Sequence, residues 1–296
     1  MTPVNPREYC HEQDLKALEA LKAIPGFTAA LKAFMKMMNE KQLHGVNMAS
    51  KIRLGPQQLP EIYNLLPPLC ERLGITEPEL YLEMNPVPNA YTGGDTLCYI
   101  TVTSGLIECM EEDEIRAVLA HECGHIACHH VLYHTMGSMI LQGGAEFLNL
   151  GLITVPLQLA FFHWQRCSEF SCDRAAAICM GGHDSVVDTM LRLAGGPKSI
   201  TDKINKELYL QQAADYEQLI GDSKWDKALQ YLAMMTNSHP FTSVRAFEIK
   251  KWCESDRFRQ IMNFSNGLPA GNTCSACGAP MEPSWLFCKK CGTKRG

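Results

Sequence analysis

Residues His121 to His125 read His-Glu-Cys-Gly-His. On a helix the two histidines lie one turn apart on one face. At that spacing both imidazoles reach a single Zn²⁺ at roughly 2.0–2.1 Å. Glu122 lies beside the first ligand but points off the ligand axis, where its carboxylate serves as general base toward metal-activated water. The chemistry implied is metal-assisted hydrolysis. Catalytic zinc takes three protein ligands and keeps one position open, so a third ligand must come from elsewhere. Arg166-Cys-Ser-Glu169-Phe-Ser-Cys-Asp173-Arg174 carries two acids one helical turn apart. Alone, they read as a surface pair balanced by Arg166 and Arg174. Joined to the histidine motif, Glu169 is expected as the third ligand. Asp173 is then expected to accept from the far nitrogen of a ligand histidine, fixing its tautomer. His129, His130, His134 and His163 are also near in sequence; with Glu169 assigned they read as surface or groove histidines.

A second metal pattern lies near the C-terminus. Cys274-Ser-Ala-Cys277 and Cys288-Lys-Lys-Cys291 form CxxC-x10-CxxC, each pair followed by glycine, Gly278 or Gly292. Four thiolates close a tetrahedron and leave no place for water, so this zinc is structural and the tail's fold depends on it. A redox reading of the two CxxC pairs lacks the βαβ context it needs. Two zinc ions are therefore expected, one catalytic and one structural. The other ten of the 14 cysteines, scattered from Cys10 to Cys253, read as small core residues. The start, Met1-Thr-Pro-Val-Asn-Pro-Arg-Glu, shows no basic region followed by an apolar one. A cytoplasmic rather than secreted chain, with thiols reduced or metal-bound, is expected.

The elements that must position these groups follow from periodicity. The chain has 296 residues, 46% hydrophobic and 20% charged, as in a soluble globular protein. Leu15, Leu18, Leu21 and Ile24, then Ala29, Leu31, Phe34 and Met35, predict helices from Asp14 to about His44, interrupted at Pro25-Gly26. Another helix is expected over Leu59–Leu73, ending at Gly74 and kinked or split by Pro67-Pro68. Leu80–Met84, Asn89–Tyr91 and Leu97–Val102 read as short strands of a small antiparallel sheet. Glu112 and Asp113 open the helix that carries the histidine motif, and the chain stays mostly helical to about Phe264. The expected fold is α+β, mainly α-helical. Its main domain covers residues 1–262, a linker 263–273 and a zinc ribbon 274–296. Lys289, Lys290, Lys294 and Arg295 against Glu282 give the tail a charge of +3, leaving −8 for the rest of a chain whose net charge is −5. That balance argues against nucleic-acid binding and favours a docking or protein-interaction role for the ribbon. Phe147–Gln165 is uncharged and of membrane-span length, but Asn149, Gly151, Pro156, Gln158 and His163 suit it better to buried or groove-lining helices than to a bilayer.

HExxH followed by Glu-x-x-x-Asp-Arg resembles the M48 zinc metallopeptidases, the prenyl-protease-like and HtpX-like group of the gluzincins. Asn89-Ala-Tyr-Thr-Gly-Gly94 is similar to the family's Asn-Ala-aromatic strand. Thr103-Ser-Gly-Leu106, Glu114 and Ala117–His121 are similar to its approach to the active-site helix, and Ser238-His-Pro240 with Arg245 to its His-Pro…Arg motif. The resemblance covers about residues 20–260. It departs at Cys123, which is read as packing away from the metal, and in lacking a clear transmembrane hairpin. It implies a zincin-type fold, a peptide or protein substrate, and endopeptidase action with Glu122 shuttling the proton from water to the leaving amine. It further implies His239 on the oxyanion and Arg245 paired with an acid near the site. The strand around Asn89, Ala90 and Tyr91 is expected to bind substrate by strand addition. The family also suggests protein quality control and a latent site, with Gly137–Gln165 as the lid. The contrasting class is a non-proteolytic adaptor that presents the gluzincin fold and recruits partners through the ribbon. An intact Glu122 argues against it.

Overall fold

The computed structural model describes residues 2–137, 155–220, 242–266, 274, 281 and 285–294. The N-terminal segment forms α1 (Glu12–Ala23), α2 (Phe27–Met37) and α3 (Glu40–Ser50). The α1/α2 break falls at Pro25-Gly26, where Gly26 has φ 95°. After β1 (Ile52–Arg53) come α4 (Pro60–Tyr63) and α5 (Leu66–Leu73). The split expected from Pro67-Pro68 lies just before them, at Asn64-Leu65. The prolines sit in the first turn of α5, where a helix needs no N–H from them. Gly74 ends α5 in the left-handed region.

The sheet contains β1, β2 (Glu79–Glu83), β3 (Ala90–Gly93) and β4 (Tyr99–Thr103) in the order β1-β2-β4-β3. It has one strand more than the three read from sequence, and it is mixed. β3 and β4 are antiparallel, Ala90 opposite Val102 and Gly93 opposite Tyr99, but β4 returns between β3 and β2 and so runs parallel to β2. β3 is left at the sheet edge.

Thr103 caps α6 (Ser104–Cys109) by accepting from the Leu106 N–H, and α7 (Glu112–Ala127) follows. At its start the Glu111 N–H donates to Glu114, half of a capping box. α7 is buried along almost its whole length, Ile115, Val118, Leu119 and Cys123 included. That makes it a central helix rather than a surface one. α8 (Val155–Met180) crosses it, followed by α9 (Asp184–Gly195), α10 (Lys198–Thr201), α11 (Lys206–Ile220), α12 (Thr242–Cys253) and α13 (Asp256–Ser265). The larger core joins the sheet's inner face to α5, α7, α8, α9 and α12. A second core joins α1 and α2 to the first half of α8 through Leu21, Phe34, Leu157, Phe161 and Trp164.

Residues 131–137 are helical, and the expected lid's residues from Val155 to Gln165 form the beginning of α8, which buries Leu157, Phe161 and Trp164. Residues 138–154 lie outside the described residues. Among the described residues no helix is long and apolar enough to cross a membrane. α13 runs to Ser265, so the chain stays helical three residues into the expected linker, and the Thr2 N–H donates to the Ser265 carbonyl.

Candidate metal centre and peptide groove

The two helices that carry the motif residues pack unusually closely. A Cβ built on Gly124 of α7 would lie 2.9 Å from the Ala175 Cβ and 3.0 Å from the Cys172 Cα of α8. Only glycine permits that approach. Across the crossing, His121 Nε2 lies 3.4 Å from Glu169 Oε2, and His125 Nε2 lies 3.5 Å from Glu169 Oε1. Donors on a tetrahedron of radius 2.0–2.1 Å are about 3.3–3.4 Å apart, and each of these two imidazole–carboxylate distances is close to that edge. The buried Nε2 of His121 makes no hydrogen bond among the described residues. An imidazole nitrogen left bare in the interior is costly unless it has a cation to bind. The donor set, two imidazoles and a carboxylate, suits zinc by its chemistry as well as its spacing.

Behind the donors lies a charged clamp. His121 Nδ1 and Asp173 Oδ1 are 3.0 Å apart. Arg245 of α12 donates through Nε and Nη2 to both oxygens of Asp173, at 2.8 and 2.7 Å, and its Nη1 lies 3.0 Å from Glu169 Oε2. All four side chains are buried. Burial works against charge on His121, yet the hydrogen bond to Asp173 and the Glu169 carboxylate carry its pKa up to about 10. Burial likewise opposes ionised Asp173, but Arg245 holds its carboxyl below the usual range. In His125 burial prevails and the pKa falls. The site thus has more buried acid than Arg245 neutralises, and it calls for a further cation at His121.

Glu122 turns toward the sheet. Thr92 of β3 donates to its Oε2 at 2.5 Å, leaving Oε1 to receive a proton. Thr92 falls within the Asn89–Gly94 strand motif, but nothing in the sequence paired it with Glu122, thirty residues on. Pleating separates its neighbours: Ala90 faces the site, while Tyr91 turns to the other face of the sheet. There Tyr91 donates to Glu83 at 2.6 Å and receives from Lys51 at 2.8 Å. Asn89 and Ala90 line a cavity of about 200 Å³ beside His121 and Glu122, walled by Leu106, Val118, Val186 and Met190. It is predominantly apolar.

Cys123 packs in the larger core, away from the donors. The reading of His130 as a surface or groove residue is corrected: it is buried, its Nε2 3.0 Å from Asp14 Oδ2, while Asp14 also accepts from Trp164 and Ser171. Desolvation forces such groups to pair, and α1 and α8 supply the partners. His134 meets Ser168 at 2.8 Å, while His129 and His163 are exposed. His239 lies outside the described residues.

A model of peptidase family M48 matches residues 56–253. The chain belongs to peptidase family M48. It is a metallopeptidase, and the donor cluster on α7 and α8 lies within the matched span. Among curated relatives, the plastoglobule-localized metallopeptidase 48 of Arabidopsis thaliana chloroplasts is 32% identical over 262 residues, 88% of this chain and 76% of that protein. An HtpX protease homologue of Sulfurihydrogenibium is 37% identical over 91 residues, 30% of each chain. One from Pelotomaculum thermopropionicum is 26% identical over 193 residues, 54% of this chain and 68% of that protein. No solved structure matches the chain.

At the C-terminus, Cys274, Cys288 and Cys291 place their sulfurs together, with Cys274 and Cys291 Sγ 3.4 Å apart. The Lys290 N–H points at Cys288 Sγ at 3.4 Å, and Gly292, at φ 75°, closes the turn by donating to the Cys288 carbonyl. Cys277 lies outside the described residues.

Proposed function

We propose that the protein is a zinc-dependent endopeptidase with His121, His125 and Glu169 as ligands and Glu122 as general base. The observation that carries this reading is the approach of both Nε2 atoms to one carboxylate at 3.4 and 3.5 Å, with Glu122 beside them. Zinc held there supplies Lewis acidity, polarising a carbonyl and bringing the pKa of water toward about 7. Glu122 Oε1 takes the proton from the attacking water. As the C–N bond breaks, it delivers that proton to the departing amine nitrogen. Thr92 keeps the carboxylate turned for both transfers. Asp173 orients His121, and Arg245 holds Asp173 and balances the acids. The open edge of β3 suits a substrate paired through its main chain, with one apolar side chain entering the cavity beside Ala90 and Val118. His239 belongs to the proposal as an oxyanion donor. Cys274, Cys277, Cys288 and Cys291 belong to it as the ligands of a second, structural zinc in a ribbon that docks protein partners. A quality-control protease of the cytoplasm is the cellular role favoured, and cell fractionation separates it from the plastoglobule location that the chloroplast relative's name gives.

The test is casein or mixed-peptide cleavage by the zinc-loaded wild type and Glu122→Gln, with zinc per chain measured in both. Loss of general-base action is expected to slow the variant by roughly 10²–10⁴-fold with zinc retained. Equal rates would overturn the assignment.

A further inference from the structure

Two cysteines far apart in sequence meet where the N-terminal segment crosses the end of α7. Cys10 Sγ and Cys128 Sγ are 3.4 Å apart, and both residues are half-buried. Neither takes part in the zinc chemistry proposed above. The backbone holds them on both sides. Arg174 donates to the carbonyls of Tyr9 and Cys10 at 3.2 and 3.4 Å, and the His11 N–H donates to Ser171 Oγ at 2.9 Å, pinning the Cys10 turn onto α8. The Cys128 N–H closes α7 on the Gly124 carbonyl at 2.9 Å. A disulfide needs its sulfurs at about 2.05 Å, so bond formation asks for a shift of only about 1.4 Å.

We infer that Cys10 and Cys128 form a dithiol modification site that closes to a disulfide on meeting a small-molecule disulfide such as oxidised glutathione. The Cys10 thiolate attacks one glutathione sulfur, forming a mixed disulfide and expelling the first glutathione thiolate. The Cys128 thiolate then attacks the Cys10 sulfur, forming the protein S–S bond and expelling the second. Two electrons pass from the protein to the reagent, and the two thiol protons end on the two glutathiones. The order follows from the surroundings. The facing Cys128 thiol, aided by Ser171 and Arg174, holds the Cys10 pKa below the usual thiol value, whereas Cys128 is pushed up by the Cys10 sulfur and by burial. Cys70 and Cys123, sealed in the larger core, are out of a reagent's reach.

The test uses the full-length, zinc-loaded protein. It is incubated with oxidised glutathione, its remaining thiols are alkylated, and it is mapped by non-reducing peptide mass spectrometry. A Cys10–Cys128 linked peptide that disappears with dithiothreitol is expected. The link joins residues 118 apart in sequence, so the oxidised form is expected to melt on the order of 5–10 °C higher than the reduced form. Cys10→Ser and Cys128→Ser should each abolish that rise. Recovery of both residues alkylated, a persistent glutathione adduct on Cys10, or linkage of Cys10 to another cysteine would overturn the inference; the wild-type map reads all three without relying on either variant.

Discussion

Arg245 ties together the two acids on which the site turns: it grips Asp173 with two nitrogens and meets Glu169 with a third. A lysine offers a point charge and no fork. Arg245→Lys is therefore expected to lower zinc affinity by about 10–100-fold, as read by competition with a chelator of known affinity. An unchanged affinity would remove Arg245 from the metal's support. His121 gives a second prediction. In the metal-free protein its pKa stands at about 10 against the usual 6.5, so between those values the folded chain holds a proton that the unfolded chain has lost. Stability from this group is complete below about 6.5 and is lost as pH rises through about 10, and zinc affinity rises with pH over the same window. Zinc titration calorimetry at pH 8, in buffers of different ionisation enthalpy, should show close to one proton released from His121. A heat independent of buffer would refute it.

At the scale of elements, the crossing of α7 over α8 decides whether ligands from two helices can share one ion. Gly124→Ala forces a methyl against Ala175 and the backbone of Cys172. Overpacking of this kind costs about 1–3 kcal/mol. The variant is expected to melt lower and to bind zinc more weakly than wild type, even though no ligand has changed. Wild-type melting and zinc content in Gly124→Ala would show that the helices have slack. This is also where the limits of the sequence are clearest. The histidine pair and Glu169-x-x-x-Asp173 were legible because helical spacing puts each pair on one face whatever surrounds them. Gly26 and Gly74 marked helix breaks for equally local reasons. Thr92 on Glu122, His130 on Asp14, and Cys10 on Cys128 were not legible: each joins common residues 30 to 118 positions apart, and only packing brings them together. The parallel pairing of β2 with β4 was hidden for the same reason, since neighbours along the chain were read as neighbours in the sheet.

For the molecule as a whole, a sheet edge from one part of the chain and an apolar cavity walled by helices from another make one groove past the donors. If an extended peptide lies along β3, a large apolar side chain next to the scissile bond should enter the cavity beside Val118 and Met190. Cleavage of a randomised peptide library is expected to select Leu, Phe or Met over Asp or Gly at one position adjacent to the cut. One apolar side chain in such a pocket is worth roughly 10–200-fold in kcat/KM. A flat profile at every position would count against the cavity as a subsite.

The clamp on Asp173 has a consequence for how the molecule is made. Synthesis runs from the N-terminus at roughly 5–20 residues per second. His121, His125, Glu169 and Asp173 are therefore all polymerised before Arg245, the cation that balances the buried acids. Until α12 emerges and docks, the half-made chain holds an over-acidic, under-braced cluster. The braced form of the cluster thus waits on a segment made after every other member of it.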